Sequence, residues 1–222
     1  GNFVDLYDVA TGTILDEERV MIDADIASIY AVVFNPEDGL LYVGDSNADE
    51  IYTVDLSDGS TTFFADGPIQ GGDLVLQAGN LYIAKRNSNQ LFTLVADDDG
   101  IADGTSEATL IGSIPDETNG MAAANNETSL ICARYGTTIF AEISNTDGAL
   151  ITEYITNLDG EPFELRHGDM ASGCADDEPN IDDCAYQLFY THEGPDDNGY
   201  ALWSVTLNDN FTASYVELEE NL

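Results

Sequence analysis

One unit recurs four times along this chain, and few folds are compatible with a repeat of its length and type. The segments "LYVGDSNADEIYTVDL" (41–56), "LYIAKRNSNQLFTLVA" (81–96), "LICARYGTTIFAEIS" (130–144) and "LFYTHEGPDDNGYALWSVTL" (188–207) share one pattern. Each reads as a β-strand, a polar turn and a second strand rich in Ile, Tyr, Phe, Val and Thr. A short apolar strand precedes each: "SIYAVVF", "GGDLVLQ", "NGMAAAN" and "HGDMASG". A fourth strand follows each: "STTFFAD", "ATLIGSI", "LITEYIT" and "TASYVEL". Gly72, Gly120 and Gly168 recur at intervals of 48 residues, at the first strands, where backbones approach closely. Helical periodicity is absent throughout.

Four antiparallel strands in about 40–50 residues is the period of a β-propeller blade. The expected fold is therefore all-β, a single propeller domain over residues 1–222 with blades at about 24–67, 68–115, 116–158 and 159–222. Residues 1–23, "FVDLYDVATGTILDEERVMI" within them, match only the second half of a unit, so they are expected to form a half blade. Three arrangements account for it: the chain is a fragment of a longer ring, four blades close with the half blade as an appendage, or another copy completes the open edge head to tail. The first residue, Gly1, is neither an initiator Met nor part of a signal pattern, as expected of a processed or truncated product.

The stretch "LYVGDSNADEIYTVDLSDGS" resembles the YVTN and NHL classes of β-propeller, whose repeats read Tyr-Val-x-(Asn/Asp), a spacer, then a hydrophobic strand and a turn. The resemblance covers residues 28–222 and weakens in the last two copies, where "LICA" replaces "LYVG" and residues 174–184 are inserted. It implies a propeller of exported or surface-associated proteins, classes that include surface-layer and adhesin-type proteins and also enzymes. Within the repeat, Asp45, Asp49 and Asp55 are expected at the surface and in turns.

Charge narrows the partners. There are 43 acidic residues against five Lys and Arg, a net charge of −38. Almost nothing is available to neutralise phosphates, which argues against nucleic acid and against anionic membrane surfaces. No apolar run is long enough to span a membrane. Cations are favoured as partners, calcium above all. Further copies of the chain and glycans complete the expected set.

The best calcium motif is "ADDDGIADGTSE", where Asp97, Asp99, the carbonyl of Ile101 and Asp103 follow the alternating spacing of a calcium loop. It resembles the loops of thrombospondin type 3 repeats, although Val95 and Ser106 stand where the first and closing acids would be. A solvated Asp-Gly turn is the alternative. Cys174 and Cys184 bracket the acidic "CADDEPNIDDC", as a disulfide in an oxidising compartment would. A zinc site there lacks further Cys or His at ligand spacing. Cys132, in the apolar "SLICA", reads as a small buried side chain. Asn126 ("NET") and Asn210 ("NFT") are N-glycosylation sequons at polar turns, which places the protein outside the cell or at its surface if they are used.

For catalysis the best stretch is "ELRHGDM". Arg166, His167 and Asp169 fall where an innermost strand begins, at the expected channel mouth, with His192 one strand on. A structural bond between neighbouring blades would use the same residues. No nucleophile elbow, glycine-rich phosphate loop or HExxH occurs. The leading expectation is a non-enzymatic extracellular propeller, part of a filament, adhesin or layer stiffened by calcium. The alternative is a propeller hydrolase or lyase acting on sugars or lactones around His167 and Asp169.

Overall fold

The computed structural model of the chain describes residues 2–8, 13–22, 26–69, 72–94, 108–158, 161–166, 168–174, 186–193 and 200–219. The calcium motif at 97–103, His167 and Cys184 fall outside these residues, and of Cys174 only the backbone is described. The chain divides into two compact units, Gly1–Ile114 and Pro115–Leu222. Among the described residues no helix is long and apolar enough to cross a membrane.

In the first unit, β1 (Asn2–Asp8) and β2 (Thr13–Ile22) form a two-stranded antiparallel sheet. Then β3 (Ile29–Asn35), β4 (Leu40–Asp45), β5 (Glu50–Asp55) and β6 (Thr61–Asp66) form an antiparallel meander in sequence order. A second meander follows with β7 (Leu74–Gln77), β8 (Asn80–Lys85) and β9 (Gln90–Leu94), and β10 (Thr109–Ser113) closes it. The turns obey local chemistry. In "DLSDGS", Asp55 Oδ1 accepts Ser57 N at 2.8 Å, Asp58 Oδ1 accepts Ser60 N at 2.9 Å, and Gly59 supplies φ +77. The same Asp-Gly turn recurs in the second unit, with Asp147 Oδ1 on Ala149 N at 3.0 Å and Gly148 at φ +72.

Apolar residues on both faces of the strands bind these layers together. Ala31, Tyr42, Ile51, Phe64 and Ala65 of one meander pack on Leu74, Leu81, Ile83 and Leu94 of the next, with Ile69 between them. On the other face, Leu41, Val43 and Val54 pack on Ile22 and Ile26, with Val4 alongside. Asp45 departs from its expected surface position. It is buried, and its carboxylate accepts Ala27 N at 3.0 Å and Asn47 N at 2.9 Å, so it ties the entry of β3 to the end of β4.

The second unit repeats the pattern twice. β11 (Thr118–Ala123), β12 (Ser129–Arg134), β13 (Ile139–Ser144) and β14 (Leu150–Leu158) form one meander, and the short β15 (Glu161–Pro162) pairs back onto β14. β16 (Met170–Cys174), β17 (Tyr186–Glu193), β18 (Tyr200–Leu207) and β19 (Thr212–Glu219) form the other. The outer strands β14 and β19 pair in parallel at Ile155–Thr212 and Thr156–Ala213, joining the two meanders into one sheet. Their core holds Phe140 against Tyr190 edge to face at 5.6 Å, and Phe163 against Tyr215 at 5.1 Å. Cys132 is fully buried in β12.

Register corrects the glycine alignment. Asp73 faces Ala84, Gly120 faces Ala133 and Asp169 faces Thr191, so these three positions are equivalent. Gly72 and Gly168 therefore correspond to each other and to Asn119, and the constant interval of 48 residues conceals a one-residue offset at Gly120. A β-bulge between Thr118 and Gly120 precedes this position, as one between Ile29 and Ala31 does in β3.

Candidate functional site

The loop entering β16 carries the catalytic candidates, and its backbone is held from several sides. Leu165 is fully buried, donates its N–H to Thr137 O at 2.7 Å and accepts Gly136 N at 2.7 Å. The Tyr190 hydroxyl, rising from β17 in the core, donates to Arg166 O at 2.7 Å. Asn119, buried at the start of β11, donates its amide to Gly168 O at 2.8 Å. Asp169 N donates to Thr191 Oγ1 at 2.8 Å, and Thr191 N donates to Asp169 O at 2.9 Å. A Cβ on Gly168 would collide with the Thr191 carbonyl, so this approach admits glycine alone. The backbone on both sides of residue 167 is thus fixed by groups of β11, β17 and the turn between β12 and β13.

The carboxylate that this loop presents has a counterpart for comparison. Asp73 and Asp169 share one local geometry: Oδ1 of each accepts the next backbone N–H, from Leu74 at 2.7 Å and from Met170 at 2.8 Å. Asp73 is 1% exposed and serves the interior. Asp169 is half-buried and so within reach of solvent. Burial pushes the Tyr190 phenol well above its ordinary value, and the nearby Asp169 carboxylate adds to the rise, so Tyr190 stays a neutral donor to Arg166 O. Arg166 is half-buried. Sequence reasoning found Arg166 and Asp169 but missed Asn119, Tyr190 and Thr191. They lie on other strands, and their only signal was the polar Asn ahead of Gly120.

The two expected glycosylation sites lie on turns of the second unit. Asn126 is exposed between β11 and β12, with Nδ2 on Ser129 Oγ at 2.8 Å and Oδ1 on Thr128 N at 2.9 Å. Asn210 is exposed between β18 and β19 and accepts Thr212 Oγ1 at 2.7 Å. Arg134 bridges Asp116 and Glu153, the latter at 3.1 Å, and so staples β12 to β14. Among the described residues, no group of three or more His, Cys, Asp or Glu is placed to hold a metal ion.

No protein-family model matches the chain, and no curated protein matches it. Solved structures do. Glutaminyl cyclase of Myxococcus xanthus aligns with a TM-score of 0.57 at 16% identity, over 86% of this chain and 69% of its own. A Bacteroides thetaiotaomicron protein of unknown function aligns at 0.54 and 11% identity, over 83% of this chain and 42% of its own. Regucalcin of Agrobacterium tumefaciens, a calcium-binding protein, aligns at 0.53 and 18% identity, over 85% of this chain and 61% of its own. At these identities the likeness is one of fold, and the fold is that of β-propeller proteins. The chain spans less than two thirds of the last two structures.

The comparison overturns one expectation. A non-enzymatic role rested on the β repeats, an acidic surface without catalytic motifs and the unpaired half blade, yet glutaminyl cyclase, an enzyme, shares this fold. A propeller draws its site from several loops, so missing linear motifs carry no weight against catalysis here.

Proposed function

We propose that this chain belongs to a propeller enzyme, a hydrolase or lyase acting on sugars or lactones through acid–base chemistry at the loop 165–170. The meanders serve as its blades, and an extracellular or cell-surface setting suits its acidic surface. One observation carries the reading: the half-buried Asp169 carboxylate sits on a backbone clamped by Asn119, Tyr190 and Thr191. A rigid, solvent-accessible acid is what proton transfer to or from a substrate requires. In this reading Asp169 and His167 exchange protons with the substrate, and Arg166 steadies an oxygen that gains negative charge. The net charge of −38 repels anions, so neutral substrates are favoured. Calcium is assigned to residues 97–103 on their sequence spacing, and the calcium-binding description of regucalcin supports a role for calcium without bearing on those residues.

The test is a screen of the purified chain against lactones and glycosides. For whichever substrate is turned over, Asp169→Asn and His167→Ala should each lower kcat by about 10²-fold or more while the circular dichroism spectrum is unchanged. Unchanged kcat in both variants, or no turnover of any class, overturns the proposal.

A further inference from the structure

Cations are scarce in this chain, so their placement is informative. Six Lys, Arg and His lie among the described residues, and all but Arg19 stand at one end of the meanders, where second strands finish and first strands begin. Lys85 closes β8 and Arg86 follows it, Arg134 closes β12, Arg166 leads into β16, and His192 lies near the end of β17. The two arginines of the second unit are used differently. Arg134 is held by Asp116 and by Glu153, the latter at 3.1 Å, and ties β12 to β14. Arg166 is half-buried and, among the described residues, forms no ion pair with Asp169 or any other carboxylate. Yet one hydroxyl connects Arg166 with Asp169. Tyr190 Oη donates to Arg166 O at 2.7 Å, and burial and then the Asp169 carboxylate push this phenol up. The two residues border one hydroxyl, and the carboxylate does not neutralise the guanidinium.

We infer, resting on the acid–base reading of this loop, that the bond broken there is the acyl–oxygen bond of a lactone and not a glycosidic bond. The sign of the developing charge decides between them. Water adding to a lactone carbonyl puts negative charge on the carbonyl oxygen, and a guanidinium beside it stabilises that oxygen. Breaking a glycosidic bond puts positive charge on the sugar ring, and the same guanidinium opposes it. Glycoside hydrolysis also calls for two carboxylates flanking the bond. This loop offers one that is half-buried, Asp169, while Glu164 is exposed. In the lactone step Asp169 takes a proton from water as the water oxygen bonds to the carbonyl carbon. The bond from that carbon to the ring oxygen then breaks, and the proton passes to the ring oxygen. The product is a hydroxy acid, which ionises. A net charge of −38 favours release of that anion, whereas the neutral lactone enters without repulsion.

The test compares rates on γ- and δ-lactones of sugars with rates on nitrophenyl glycosides, for the 222-residue chain and for variants at Arg166. Turnover of lactones alone is expected. Arg166→Gln should lower kcat on the lactone by about 10²–10³-fold, the usual cost of losing one donor to an oxyanion, and change KM far less. Arg166→Lys should keep part of the rate. Guanidinium ion, added to Arg166→Ala well below denaturing concentration, should restore part of it where equal NaCl does not. A packing defect would give no such rescue, and circular dichroism checks that each variant is folded. Turnover of glycosides without lactones overturns this inference and leaves the acid–base reading standing. Lactone turnover that Arg166→Gln leaves unchanged also overturns it. Turnover of neither class overturns the acid–base reading and this inference together.

Discussion

Gly168 shows how narrow the tolerance is at a single residue. An alanine there drives its Cβ into the Thr191 carbonyl, a backbone atom that cannot rotate away. At Gly120 the nearest atoms to an added Cβ are Met170 Cγ at 3.0 Å and Met170 N at 3.1 Å, and the flexible thioether can yield in part. Gly168→Ala is therefore expected to destabilise the chain by about 1–3 kcal/mol, the usual cost of overpacking, and Gly120→Ala by less. Urea unfolding of the two variants checks the order, and equal costs would show that the loop moves freely. The recurrence of glycine at the first strands was readable in the sequence, but which glycines are equivalent was not. Equal spacing suggested Gly72, Gly120 and Gly168, whereas pairing puts Asn119, not Gly120, at the place of Gly72 and Gly168.

Among elements, the meanders were legible and the contacts between them were not. Alternating Ile, Val, Tyr and Phe with Asp-Gly and Asn-rich turns marks every strand of the four repeats, because side-chain alternation and turn chemistry are local. The parallel pairing of β14 with β19 depends on how two twisted sheets meet, and no residue announces it. A polar link inside one meander offers a test at this scale. Glu142 on β13 accepts Ser129 Oγ of β12 at 2.6 Å and the Tyr154 hydroxyl of β14 at 3.0 Å. Burial, then the Glu142 carboxylate, pushes Tyr154 up from 10.0 to about 12. A folded value above the unfolded one means that the stabilisation is whole below pH 10 and is lost as pH rises from 10 toward 12. Burial and Asp38 do the same to Tyr42 in the first unit. The urea midpoint should thus fall steeply above pH 10, and Tyr42→Phe/Tyr154→Phe should flatten that fall. A slope unchanged in the double variant would sink the assignment.

At the scale of the whole molecule, charge dominates. A net charge of −38 on 222 residues is a self-repulsion that the unfolded chain relieves by expanding, so it weakens the folded state at low salt. Screening lowers it, since the Debye length shrinks from about 30 Å at 0.01 M to about 3 Å at 1 M. If repulsion costs on the order of 2 kcal/mol, Tm should rise by about 4–8 °C over that range of NaCl, at the slope usual for a chain of this length. Calcium separates screening from binding. At matched ionic strength, a few millimolar CaCl2 should raise Tm beyond the NaCl value through the 97–103 loop, by mass action on the folded state alone. Asp99→Asn/Asp103→Asn should remove that excess and keep the NaCl response, because the two changes lower the net charge only from −38 to −36. Identical curves for the two salts would assign the whole effect to screening and take calcium out of the account, leaving these acids as a solvated turn.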